Sequence, residues 1–170
     1  PDAHGLTLTL QISGDGFYAE EDLSWMVGTP TLVFSDDMES GTGNWVENDG
    51  YWGLSSSVYH SSTNSYTDSP SGSYGNYRNT WIELVGPLDF SHASAAEMTF
   101  WHRVQTELDY DYCYVEASTD NGSTWSQVGP RYHGDNGGWE QVELDLSPYV
   151  GTDQFKVRFR FNSDAYVTDN

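Results

Sequence analysis

The chain has 170 residues, enough for one ordinary domain with a core of its own, and its 26 acidic and 6 basic residues give a formal net charge of −20. This charge repels phosphate backbones and anionic lipid surfaces, and no apolar run reaches the roughly 20 residues of a membrane span, so neither nucleic-acid binding nor membrane insertion is expected. Seven Trp, twelve Tyr and 17 Gly favour many short strands joined by tight turns, which predicts an all-β fold.

The first predicted elements form a hairpin. Residues 6–12 alternate apolar and polar side chains, as a half-buried strand does, and residues 23–27 read as a second strand after turn-forming residues 13–16. A two-stranded hairpin is marginal on its own in water. We therefore interpret residues 1–30 as an N-terminal β-hairpin that is the tail of a preceding Ig-like domain or a linking segment, with a boundary near Pro30.

A second pattern begins at residue 31 and predicts a β-sandwich domain over residues 31–170. The stretch 48–79 is dense in Ser, Gly and Asn without a helical period, which predicts long ordered loops anchored by Tyr and Trp rings. Asn121-Gly122 predicts a tight hairpin turn. The predicted strands span residues 31–34, 80–85, 97–104, 112–118, 139–146 and 155–161.

The last predicted strand places apolar and basic residues on opposite faces. The apolar residues are Phe155, Val157, Phe159 and Phe161, and the basic residues are Lys156, Arg158 and Arg160. These cations are three of the six basic residues in the chain. We expect neighbouring carboxylates to neutralise them on a half-buried face, and a patch that faces a ligand is the alternative.

Several motifs, taken in order, resemble one family of secreted modules. The run 34–41 with Trp45 resembles the opening of MAM-like jelly-roll domains, a group that includes immune-inhibitor-A-type and cleaved-adhesin modules of secreted bacterial proteins, often peptidases. Residues 66–70, 100–103, 121–125 and 157–161 resemble the later motifs in the same order. The resemblance implies a concanavalin- or galactose-binding-like jelly roll over residues 31–170. Because members usually continue into a further strand, we expect this domain to lack its last strand.

The resemblance and the density of acidic side chains together predict a structural calcium site. Calcium takes six to eight oxygen ligands from carboxylates and loop carbonyls, and related domains use an acidic opening for a structural cation. No EF-hand spacing is present. The candidate ligands are Asp36, Asp37, Glu39, Asp68, Asp109 and Asp111. Solvated loop carboxylates without an ion are the alternative interpretation.

Aromatic side chains in the loops are candidates for ligand binding. Sugar-binding sandwiches place aromatic rings against pyranose faces, and loop-borne rings are better candidates than rings within strands. The candidates are Trp52, Tyr74, Tyr77 and Tyr132. The alternative is that these rings fill a core poor in Leu and Ile.

The sequence offers no catalytic constellation. The five His are dispersed without a metalloprotease motif, and Cys113, the single cysteine, lies in a strand-like run as a small buried hydrophobe. We therefore expect a non-catalytic accessory or adhesion module, secreted or at the cell surface, that is stabilised by calcium and binds a glycan or a protein as part of a larger protein. A self-assembling surface-array or filament subunit joined to neighbouring copies by β-strand exchange is the alternative, and a carbohydrate-active enzyme domain is a third.

Overall fold

The computed structural model describes residues 4–14, 17–27 and 30–166, with side chains described from residue 30 onward. The chain divides into two compact units, residues 1–33 and 34–170. The first unit contains the antiparallel pair β1 (His4–Gly14) and β2 (Phe17–Val27), in which His4 lies opposite Val27 and Gly14 opposite Phe17. Both strands are longer than predicted because the pairing continues to the ends of the turn-forming segment.

The second unit contains nine strands, all of them in antiparallel pairs, among the residues that the structure describes. Their bounds are β3 (Trp45–Glu47), β4 (Gly53–Ser55), β5 (Ser65–Thr67), β6 (Asn79–Leu84), β7 (Glu97–His102), β8 (Tyr112–Ser118), β9 (Ser126–Tyr132), β10 (Glu140–Asp145) and β11 (Lys156–Asn162). The largest sheet has the order β3-β6-β11-β8-β9, and the pairs β7–β10 and β4–β5 are separate. This arrangement confirms the predicted all-β sandwich preceded by a hairpin.

The core lies between the five-stranded sheet and the β7–β10 pair. Val115, Val157 and Leu144 belong to one buried cluster, and Phe100 of β7 meets Phe159 of β11 with ring centroids 5.2 Å apart. Phe90 stacks on Phe155 at 4.5 Å. Aromatic rings thus supply much of the contact between the layers, as expected for a chain with few aliphatic side chains.

The outer face of β11 carries the three cations, and carboxylates neutralise them. Lys156 Nζ lies 2.8 Å from Glu83 Oε1, while Arg158 and Arg160 both bond to Glu116. The register places Arg158 directly between Glu83 of β6 and Glu116 of β8. The prediction of a neutralised, half-buried face is therefore confirmed.

Two local predictions have opposite outcomes. Asn121 and Gly122 both have positive φ, at 56° and 88°, so the predicted tight turn between β8 and β9 is confirmed. The predicted strand at residues 31–34 is wrong, because this apolar stretch has no paired strand among the described residues. In the part of the chain that the structure describes, the helix is a 3-10 turn at Ser147–Tyr149, and no helix is long and apolar enough to cross a membrane.

Candidate functional site

Three carboxylates meet at one end of the five-stranded sheet. Tyr112 at the start of β8 lies opposite Asn162 at the end of β11, so the residues that flank these strands are brought together. Asp111 precedes β8, and Asp164 follows β11 by two residues. With Glu107, they place carboxylate oxygens within 4.8 Å of one another.

Asp111 is the most buried member of this cluster, with 0% of its surface exposed. Its Oδ1 accepts a hydrogen bond from the Asp164 amide at 2.8 Å, while its buried Oδ2 has no hydrogen-bond partner among the described residues. Thr106 Oγ1 donates to the Asp111 carbonyl, and the Asp111 amide donates to the Glu107 carbonyl. The backbone therefore holds the carboxylate in place from both sides.

The arrangement has the chemistry of a site for a hard cation. Two ionised carboxylates at this separation repel each other by about 3 kcal/mol at an effective dielectric constant of about 20. A buried charged oxygen without a partner is costly for the same reason. A divalent cation among Glu107, Asp111 and Asp164 would satisfy both requirements. An all-oxygen set suits calcium or magnesium rather than zinc, which prefers nitrogen and sulfur.

A second buried carboxylate lies close to the cluster. Burial raises the pKa of Asp68 to about 6, and its Oδ2 has no hydrogen-bond partner among the described side chains. Burial also raises the pKa of the Cys113 thiol, and the Asp68 and Asp111 carboxylates add to this effect, so both lie near the sulfur. A thiol in such surroundings stays protonated and is a poor nucleophile.

Three other predicted metal ligands, Asp36, Asp37 and Glu39, lie in the loop before β3 and are satisfied by neighbouring donors, whereas Asp109 lies in the turn between Glu107 and Asp111 and is exposed. Asp36 accepts bonds from the Met38 amide and from Asn44 and Trp45 side chains, and Asp37 accepts from the Glu39 amide. These bonds stabilise the loop before β3. Glu39 accepts four bonds from Thr63 and Asn64, which lower its pKa. Asp109 lies beside His133, with Oδ1 and Nδ1 3.5 Å apart.

The predicted ligand-binding rings occupy three different environments. Tyr74 is 7% exposed and packs edge-on against Phe161. Trp52 is half-buried and donates from Nε1 to Thr80, and Tyr132 packs against His102 with its hydroxyl buried. Tyr77 is 80% exposed. The structure does not bring these four rings together into one surface.

A cleft is lined in part by Tyr74, whose hydroxyl accepts a hydrogen bond from the Glu107 amide. It has a volume of about 290 Å³ and is lined in part by Tyr51, Asp68, Tyr74 and Arg78. The Arg78 guanidinium stacks 3.6 Å above the Tyr51 ring. This contact covers one face of the Tyr51 ring.

Sequence reasoning missed Glu107 and Asp164 as members of the cluster. Glu107 precedes Asp111 by four residues within a turn, and Asp164 is more than 50 residues away in sequence. The approach of Asp164 to the other two depends on the antiparallel pairing of β8 and β11. A usable signal was present, since an acidic residue borders each of two strands that were predicted separately.

Comparisons with known proteins indicate a fold for the chain but do not assign it to a family. No family model matches the chain. The chain is 27% identical over 146 residues to Bacillopeptidase F of Bacillus subtilis (strain 168), covering 81% of this chain and 10% of that protein. It thus spans about a tenth of the length of this curated relative.

Two matches to solved structures are of carbohydrate-binding modules, and one of them reaches a TM-score above 0.5. One comes from a study of carbohydrate-binding modules from the beta-sandwich super family, with a TM-score of 0.52 and 10% identity, covering 98% of this chain and 70% of that one. The other is the CBM22-2 xylan-binding domain from Paenibacillus barcinonensis Xyn10C, with a TM-score of 0.46 and 18% identity, covering 80% and 86%. At 10% identity the first likeness shows the fold alone, a β-sandwich.

Proposed function

We propose that the chain is a non-catalytic accessory module of an extracellular protein, stabilised by calcium, that binds carbohydrate. The observation that carries the calcium site is the cluster of Glu107, Asp111 and Asp164, in which a fully buried carboxylate oxygen has no hydrogen-bond partner among the described residues. The similarity in fold to carbohydrate-binding modules supports the choice of ligand. Calcium is the hard cation that best fits a site built from loop carboxylates at strand ends, because it accepts irregular geometry.

An extracellular location fits this chemistry. Calcium sites of extracellular modules typically bind with a Kd of about 10⁻⁴ to 10⁻³ M, so a site with few carboxylates would be filled outside the cell. The similarity to a segment of Bacillopeptidase F supports a role as one part of a larger protein. We retain the MAM-like jelly-roll type as a further part of this proposal, on the motifs given above.

Binding rather than catalysis is favoured by the environment of the reactive side chains. The Cys113 thiol is held protonated, and burial lowers the pKa of His102, which packs against Phe100 and Tyr132 in the sandwich. The fold is similar to that of carbohydrate-binding modules, and the net charge of −20 disfavours acidic polysaccharides. Neutral carbohydrate is therefore the proposed class of ligand.

Affinity electrophoresis tests this function. The chain is run in calcium-containing native gels with and without neutral plant or bacterial polysaccharides, and the same mixtures are assayed for released reducing ends. We expect retardation by at least one neutral polysaccharide and no hydrolysis. Unchanged mobility in every gel would contradict carbohydrate binding, and released reducing ends would contradict the non-catalytic role.

A further inference from the structure

The outer face of the β7–β10 pair is a surface that none of the predicted ligand residues occupies. Alternation along the strands directs Met98, Phe100 and Leu144 toward the core and places the intervening residues on the opposite face. The register pairs three outward residues of β7 with three of β10. These pairs are Trp101 with Gln141, Thr99 with Glu143, and Glu97 with Asp145, and all six residues are exposed.

Trp101 dominates one end of this outer face. Its side chain is 44% exposed, although it is one of the largest apolar groups in the chain. His60, from the loop between β4 and β5, stacks on the indole with ring centroids 3.8 Å apart and an interplanar angle of 15°. Trp139 meets His60 edge-on at 6.0 Å. The remaining exposed indole surface is therefore presented in a fixed orientation.

A fixed, exposed indole suits a pyranose ring. The C–H face of a sugar packs on an aromatic ring and gains apolar contact, while its hydroxyl groups need hydrogen-bond partners nearby. Because His60 already restrains Trp101, little conformational entropy is lost when a ligand binds. Gln141 lies directly across from Trp101 and offers both an acceptor and donors.

The other end of the face supplies hydrogen-bond acceptors and favours a ligand without negative charge. Glu97, Glu143 and Asp145 lie together, and the Glu143 carboxylate raises the pKa of Glu97. Hydroxyl groups donate to carboxylates without adding negative charge, whereas an anionic ligand would be repelled. Trp101 and Glu97 are four positions apart along β7, about 13 Å, which accommodates more than one sugar ring.

We propose that the outer face of the β7–β10 pair is the carbohydrate-contact surface, with Trp101 as the platform for one pyranose ring of a neutral polysaccharide and Gln141 and Glu143 as partners of its hydroxyl groups. This inference rests on the proposed function and specifies where it is carried out. His60 acts as a positioning residue that orients the indole.

The test compares variants in the same affinity gels, using mixed-linkage β-glucan, glucomannan and arabinoxylan as neutral probes and alginate as an acidic one. Trp101→Ala is expected to weaken binding at least tenfold, and Gln141→Ala and His60→Ala several-fold each. Trp125→Ala is the matched control, because Trp125 stacks on Arg158 at the outer face of the other sheet. Melting curves establish that each variant is folded, and Gln141→Ala gives an independent reading from a smaller change.

The possible results distinguish an error in the assigned surface from an error in the proposed carbohydrate-binding function. If the unaltered chain binds a neutral probe and Trp101→Ala and Gln141→Ala bind it equally well, the assigned surface is wrong while carbohydrate binding stands. If the unaltered chain binds none of the neutral probes, the proposed function fails as well. Preferential binding to alginate would overturn the charge argument and the inference.

Discussion

Asp111 is the residue on which the metal site depends, because its carboxylate is fully buried and shares its surroundings with Glu107 and Asp164. One oxygen is committed to the Asp164 amide, and the other has no hydrogen-bond partner among the described residues. Without a cation, the chain holds this charge against electrostatic repulsion. With a cation, the same oxygen becomes a ligand. The sign of its effect on stability therefore depends on calcium.

Asparagine at this position separates these two effects. Asp111→Asn keeps an oxygen that can accept the Asp164 amide and removes the negative charge. We expect the variant to melt above the unaltered chain in the presence of a chelator and to lose most of the increase that calcium causes. Asp153→Asn is the control, because Asp153 is exposed and bonded to Gln154. A calcium response in Asp111→Asn equal to that of the control would contradict the assignment.

Asp120 offers a test of side-chain geometry in the β8–β9 turn. Hydrogen bonds from the Thr124 and Ser118 hydroxyls and the Thr124 amide lower the pKa of Asp120 to about 2. The folded-state pKa lies below the ordinary value of 3.8, so the stabilisation is present above about pH 3.8 and is lost as the pH falls toward 2. Thr124→Val removes the hydroxyl donor, and we expect the pKa of Asp120 to rise. Carboxyl ¹³C shifts measured against pH check this, and an unchanged midpoint would contradict it.

The three cations of β11 form ion pairs with carboxylates on both neighbouring strands of the large sheet, β6 and β8. Glu116 of β8 bonds to both Arg158 and Arg160, so one carboxylate is shared by two guanidinium groups. The Glu116 residue is buried, with 8% of its surface exposed. Arg158 also lies over the Trp81 and Trp125 rings, and Arg160 over Tyr114. The apolar residues of β11 face the core, and ion pairs and ring contacts thus cover the opposite, outer face of the strand.

Removing the shared carboxylate is expected to destabilise this sheet. Glu116→Gln leaves two partly buried guanidinium groups without a charged partner, and breaking such pairs costs about 3 kcal/mol. Glu140→Gln is the control, since Glu140 is 63% exposed and 3.8 Å from His102, and we expect less than about 1 kcal/mol. Urea denaturation measures both. Equal losses in the two variants would show that the sheet does not depend on Glu116.

The elements that could be predicted from sequence are those with strong local signals. The strands over 80–84, 97–102, 112–118 and 156–162, and the Asn121-Gly122 turn, each follow from alternation or turn chemistry within a few residues. The apolar stretch 31–34 has the composition of a strand, but no neighbouring strand pairs with it in the described structure. Strand formation requires a partner, which composition alone does not reveal.

The residues of the candidate sites were harder to predict from sequence than the strands. Asp68 and Asp111 were predicted as metal ligands, but Glu107 joins Asp111 through a local turn, and Asp164 joins them only through the register of β8 and β11. Trp101 was not among the predicted ligand-binding rings because loop-borne rings were preferred to rings within strands, yet alternation places it on the exposed face. Which face of a strand is outermost depends on the packing of the whole sandwich. The sequence could therefore mark some of these residues as candidates, but their grouping into sites depends on the three-dimensional arrangement.

For the whole molecule, calcium and carbohydrate are proposed to act at separate places. The metal cluster lies beyond the ends of β8 and β11, and the proposed carbohydrate surface lies on the outer face of β7 and β10. No residue is shared between them. Calcium is therefore expected to stabilise the fold without contacting the sugar. A chelator should weaken carbohydrate binding only under conditions in which it also unfolds part of the chain.

Isothermal titration of calcium into the metal-stripped chain is the most direct test of the proposed calcium site. We expect one site per chain with a Kd of about 10⁻⁴ to 10⁻³ M. For a Kd of about 10⁻⁴ M, 10 mM calcium would add about 2.7 kcal/mol to the free energy of unfolding and raise the Tm by about 5–10 °C. The absence of both heat of binding and a change in Tm at 10 mM calcium would contradict it.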